Sequence, residues 1–290
     1  MKNFKSLFLI LVVAVSMISV SCKRDTTIDP ATTDALSFAN ASAAKGGMLF
    51  DKFWAIETGY DQTSTNIAAF NAKSDFYRCK QCHAWDLLGN SGSYIGRAPK
   101  TNRPRVAGVS LMEVRLNDSP RNIFDEIKGT TGKRSISFNL ATYDPATNAV
   151  EGDKMPDLST LLTDAQIWDF VKFIKEGAFD VSKLYDAIYT GTYPTGKAVF
   201  SNIGKDGNAT TGDAYFAARC VPCHGADGTK LHNLDGAGYS LGSFLRNKPN
   251  ETQHKVKFGL LGTPMTAFGT SEQEMKDLYK ALTNNVKYPD

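Results

Sequence analysis

The chain has 290 residues, 42% of them hydrophobic and 22% charged, a globular composition with room for two ordinary domains. Its formal net charge is +3. The basic residues are scattered, which argues against a nucleic-acid partner.

Residues 1–21 read as a secretory signal, with Lys2 and Lys5 at the start, an apolar run from Leu7 to Ile18, and small residues up to Cys22. The run is short for a membrane span. Ser19-Val20-Ser21-Cys22 resembles a lipoprotein lipobox, with Ser19 where that motif usually has Leu. The resemblance implies that Cys22 becomes the first mature residue, carries a lipid and holds the chain at a membrane. Cleavage by an ordinary signal peptidase would instead leave Cys22 a lone thiol. Residues 22–43 are expected to be a flexible tether. An exported chain usually pairs its cysteines as disulfides, but two pairs here have a different context.

After a first helix containing Met48 comes Cys79-Lys80-Gln81-Cys82-His83. A second copy, Cys220-Val221-Pro222-Cys223-His224, lies 141 positions on. Both fit C-x-x-C-H, the pattern of c-type haem attachment. Two thiols one helical turn apart can each add to a vinyl group of one porphyrin, and the next residue offers a nitrogen to the iron. Two rivals are weaker. A thioredoxin-like dithiol needs a βαβ context that the sequence lacks, and a single four-cysteine zinc site would leave His83 and His224 unexplained. Trp85, just past the first motif, reads either as a haem-edge contact or as core.

Between the first motif and residue 150 the chain carries extra sequence, an insertion near 87–150. It holds a basic group, Arg97, Lys100, Arg103 and Arg105, which reads as a solvated face, a cover for haem propionates or a docking patch. It also holds a short helix beginning at Ser119-Pro120. Met155 follows, next to Pro156. Thr163-Asp164-Ala165-Gln166 then predicts a capping box, opening a helix whose face is Ile167, Phe170, Val171 and Ile174. The region 178–194 reads as a linker with some helical character.

The second half repeats this order. Gly196-Lys197-Ala198-Val199-Phe200 matches Gly46-Gly47-Met48-Leu49-Phe50 at several positions. Ser74–Arg78 and Asp213–Arg219 each set two adjacent aromatics before an Arg-Cys. A helical stretch from Leu241 is expected to end at Gly259. Met265, beside Pro264, precedes the capping box Ser271-Glu272-Gln273-Glu274 and a helix face of Met275, Leu278, Tyr279 and Leu282. Met275 reads as core. Met112 is the rival to Met155, and His232 or His254 could replace Met265, although surface or supporting roles suit those histidines better. The motif-to-Met arm is 72 positions in the first half and 41 in the second.

With these residues in view, both halves resemble class I cytochrome c domains, over 44–177 and 195–285. The resemblance implies a mainly α fold of two tandem domains, 44–177 and 195–286, each wrapped around a covalently attached haem. It implies two c-type haems held by Cys79 and Cys82 and by Cys220 and Cys223, with His83 and Met155 on one iron and His224 and Met265 on the other. The expected function is single-electron transfer between redox proteins of the respiratory chain, in the bacterial cell envelope (periplasm). Two alternatives stay open. One is a di-haem enzyme, peroxidase-like or thiosulfate dehydrogenase-like, with substrate access at the first haem. The other is a cytochrome subunit of a larger dehydrogenase.

Overall fold

The computed structural model describes residues 29–52, 78–101, 103–129, 155, 158–159, 162–260 and 263–290. Residues 1–28, including the signal and Cys22, lie outside them, as do 53–77 and 130–154. The described chain is mainly helical. Among the described residues, no helix is long and apolar enough to cross a membrane.

Helix α1 (Pro30–Asn40) begins on the Asp29 side chain, which accepts from the Ala31 N–H. It occupies part of the expected tether, but it is docked. Phe38 meets Trp168 edge-on at 6.5 Å, Lys172 Nζ sits 4.3 Å from the Phe38 ring centre, and Arg121 pairs with Asp34 at 3.1 Å. An amphipathic turn with an aromatic to bury does not stay in solvent as a tether would.

Helix α2 (Ala43–Lys52) crosses helix α6 (Asp164–Lys172), which runs on as a π-turn over Phe173–Gly177. A close approach sets the crossing. A Cβ on Gly46 would lie 1.9 Å from the Asp169 carbonyl oxygen, and Asp169 Oδ1 accepts from the Ser42 N–H at 2.6 Å. The expected capping box on Thr163 and Gln166 is present, and Ile167, Phe170, Val171 and Ile174 are buried. Between these helices come α3 (Cys79–His83), α4 (Leu111–Asn117) and α5 (Pro120–Lys128). Ser119 caps α5 and Gly129 ends it in the left-handed region, so the short helix expected from Ser119-Pro120 forms.

The second half has α7 (Ala209–Arg219), α8 (Val221–His224), α9 (Leu241–Asn247), α10 (Pro249–Phe258) and α11 (Glu272–Leu282). Helix α7 crosses α11 in the same manner. A Cβ on Gly212 would lie 1.9 Å from the Asp277 carbonyl oxygen, and Asp277 Oδ1 accepts from the Asn208 N–H at 2.8 Å. In both halves the glycine stands four residues after the capped one. The partner of α2 is therefore α7. The pairing of Gly46–Phe50 with Gly196–Phe200 fails, because Lys197–Ser201 is a strand.

That strand, β2, pairs antiparallel with β1 (Asp186–Thr190), with Ile188 opposite Val199. The expected helical linker is a 3-10 turn (Val181–Lys183) and this hairpin, which spans the expected boundary at 194/195. The β-branched and aromatic residues Ile188, Tyr189, Thr190, Val199 and Phe200 favour strand over helix here. The hairpin loop packs back on the first half, where the Tyr193 hydroxyl accepts from the Val106 N–H at 3.0 Å.

Candidate haem sites

At the first site, α3 is a single turn that brings Cys79, Cys82 and His83 onto one face. The Ala107 N–H closes it by donating to the Cys82 carbonyl at 2.7 Å. These three residues line a cavity of about 900 Å³. Met155 and Leu158 line it too, with Phe50, Leu111, Ile127 and Phe170 as apolar wall. Arg78 and Arg105 also border it. The cavity has the size and apolar character of a cofactor site. It joins two thiols, an imidazole and a thioether, the donor set that a covalently held haem needs, and its lining also holds two cations and the carboxylates of Asp118, Asp125 and Glu126. The residues fit the group.

Met112 lies on α4 and packs on the core without bordering the cavity, whereas Met155 borders it. The basic group divides. Arg105 reaches the cavity, while Arg97 stacks over Tyr94 at 4.2 Å and Arg103 donates to the Ala98 carbonyl at 2.5 Å. Arg78 is bound to Asp51, through its Nε to the Asp51 carbonyl at 3.0 Å and through an ion pair with the carboxylate.

At the second site the His224 N–H donates to the Cys220 carbonyl at 2.8 Å, the same one-turn geometry. The residue after each histidine takes the same unusual backbone, Ala84 at φ 61, ψ 167 and Gly225 at φ 82, ψ 166. Glycine holds that conformation without strain, and alanine does not. Cys220 is in the second core, and Met265 packs against that core. Arg219 donates to the Phe268 carbonyl at 3.3 Å and the Tyr215 and Thr270 hydroxyls bond at 2.7 Å. These two contacts tie α7 to the loop that carries Met265.

The electrostatics run against redox cycling by either cysteine pair. Burial pushes the Cys79 thiol up to about 12 and the Cys220 thiol up to about 11. A redox-active dithiol needs the opposite shift. Burial also lowers the His224 pKa, and its Nδ1 is buried with no hydrogen-bond partner in the structure. A neutral imidazole is the form that binds a metal. Cys79 packs on the first core and Cys220 lies in the second. Among the described residues no three His, Cys, Asp or Glu side chains group to hold a metal ion. Among the described residues the two cysteine pairs are thus anchored in separate cores, and the one sheet is the β1–β2 hairpin.

Residues 207–281 match the family model described as Cytochrome C oxidase, cbb3-type, subunit III. The matched stretch runs from the start of α7 almost to the end of α11 and includes Cys220, Cys223, His224 and Met265. It supports a c-type cytochrome, with covalent haem, electron transfer and redox-protein partners. Cytochrome c domains are typically exported. Comparison with curated proteins and with solved structures finds no match.

Trp85 takes the core position, one of its two sequence readings, and the place of His254 escaped the sequence reading. Trp85 is 2% exposed and packs with Ala84, Tyr94 and Val106, of which Val106 borders the cavity while Trp85 does not. His254, read as a surface or supporting residue, is 1% exposed. Its ring lies 4.7 Å from Trp85, 4.8 Å from Phe258 and 5.7 Å from Phe50. A lone histidine in a helix of mixed character carries no local signal for that position.

Proposed function

We propose that the chain is a di-haem c-type cytochrome that passes single electrons between redox proteins of the cell envelope. The observation that carries this reading is the one cavity bordered by Cys79, Cys82, His83 and Met155. The repeated crossing of α2 on α6 and α7 on α11 supports a second domain of the same kind.

On this reading Cys79 and Cys82 hold one haem and Cys220 and Cys223 the other. His83 with Met155 would hold one iron and His224 with Met265 the other. A bound haem would supply a one-electron couple, and a methionine thioether as second ligand would shift it to higher potential. The chain's own residues do the rest. Phe50, Leu111 and Phe170 exclude water from the first site, and Arg105 would offset propionate charge, while Arg78 is paired with Asp51. Gly259 leaves room for the Met265 loop, since a Cβ there would meet the Met265 carbonyl oxygen at 2.8 Å. Cys22, outside the described residues, would carry the lipid that keeps the carrier at a membrane of the bacterial envelope.

The test is haem content and ligand spectroscopy of the wild type beside Met155→Ala and Met265→Ala. Two haems per chain are expected. Each variant should lose one of two sulfur-to-iron absorption bands. One haem per chain, or an unchanged spectrum in Met155→Ala, would sink the reading of the first half. The match to an oxidase subunit favours a second reading, a cytochrome subunit fixed to a respiratory complex. Gentle solubilisation decides it, because a free carrier migrates alone and a subunit does not.

A further inference from the structure

Helix α10 belongs to the second half, yet eight of its ten residues are buried. Five of those are polar: Asn250, Glu251, Thr252, Gln253 and His254. A helix that merely glued two halves together would bury apolar residues at lower cost, because each buried polar group must recover its desolvation through a bond.

The bonds of α10 and the loop after it lead to both sites. Toward the first, Gln253 Nε2 donates to the Trp85 carbonyl at 2.9 Å, two residues beyond His83. The His254 ring contacts Trp85 and also Phe50, which borders the first cavity. Its imidazole hydrogen-bonds the Gly47 backbone on α2, while its Nε2 is buried with no hydrogen-bond partner in the structure. Toward the second site, Leu260 N–H donates to the Met265 carbonyl at 2.9 Å. The Gly269 N–H reaches the Lys257 carbonyl at 3.3 Å. Only about 8 Å of helix axis separates Gln253 from Phe258.

We propose that α10 is the bridge over which the two haem sites exchange electrons, with Gln253 and His254 as positioning residues on the first site and Leu260 on the second. The inference rests on the di-haem reading. One electron crosses per event. The donor site is oxidised, the acceptor site is reduced, and no proton moves.

The full haem-loaded chain is the material. Haem per chain is counted first, and a single haem would refute the di-haem reading rather than the bridge. With two haems present, the partly reduced protein is flash-perturbed and equilibration between the sites is followed optically. Gln253→Leu and His254→Leu should each slow it several-fold. Thr252→Val, whose lost bond runs only to the Lys248 carbonyl within the second half, should leave it at the wild-type rate. His254→Phe, which keeps a ring against Trp85, should also retain that rate. Hydrogen exchange gives a second readout. The Leu260 amide and the amides just after His83 should both exchange faster in Gln253→Leu and His254→Leu. Equal equilibration rates in all variants, or faster exchange at one site only, would overturn the proposal.

Discussion

Replacing Gly46 by Ala should destabilise the protein although alanine is the better helix former. The added Cβ would stand 1.9 Å from the Asp169 carbonyl oxygen and 2.7 Å from the Phe173 Cβ. Ordinary contact begins near 3.4 Å, so α2 and α6 must separate by roughly 1.5 Å unless the backbone yields, enough to forfeit about half or more of the facing dispersion contacts. Overpacking of this kind costs about 1–3 kcal/mol. Weakening the Ser42 N–H bond to the Asp169 carboxylate adds about 1.5–3 kcal/mol. Helix propensity returns at most about 1 kcal/mol. The net is about 3 kcal/mol, or a fall in Tm of about 6–12 °C for a chain of this size. Gly212→Ala makes the same clash with Asp277 and should cost as much. Thermal unfolding of the haem-loaded protein, followed by circular dichroism, is the assay. A Tm at or above the wild-type value in either variant would show that the helices relax freely and that the crossing is not set by these glycines.

His254 should make the protein acid-sensitive. Burial pushes its pKa down to about 4 from 6.5. The unfolded chain therefore binds the extra proton first, and stability is lost as pH falls from about 6.5 toward 4, by about 3 kcal/mol at full protonation. Urea unfolding across that range should show this slope in the wild type and a clearly shallower one in His254→Leu. Asp51→Ala should cost about 3–5 kcal/mol, because it strips a buried carboxylate from Arg78 beside the first motif. An unfolding midpoint unmoved by that change would show that water takes over the Asp51 role.

What could be read from residues alone was local. C-x-x-C-H is an attachment device because the spacing of one helical turn is itself the chemistry. The capping boxes at Thr163 and Ser271 and the faces of α6 and α11 also appear as expected, since caps and helical period depend on neighbours three and four positions apart. Glycine–carbonyl contacts such as Gly46 on Asp169 and Gly212 on Asp277 join residues far apart in the chain, so no local window of sequence shows them.

The sequence by itself determined the two C-x-x-C-H motifs, the single turns they form and the helices that close each half. Only the tertiary structure decided that α1 docks, that residues 186–201 form a hairpin, that Met155 rather than Met112 borders the first cavity, and that α10 lies buried against the first half. The physical reason is range. Caps, turns and periodic faces are settled within a few bonds along the chain. Burial of His254 against Trp85 is settled by which surfaces remain uncovered once both halves have formed.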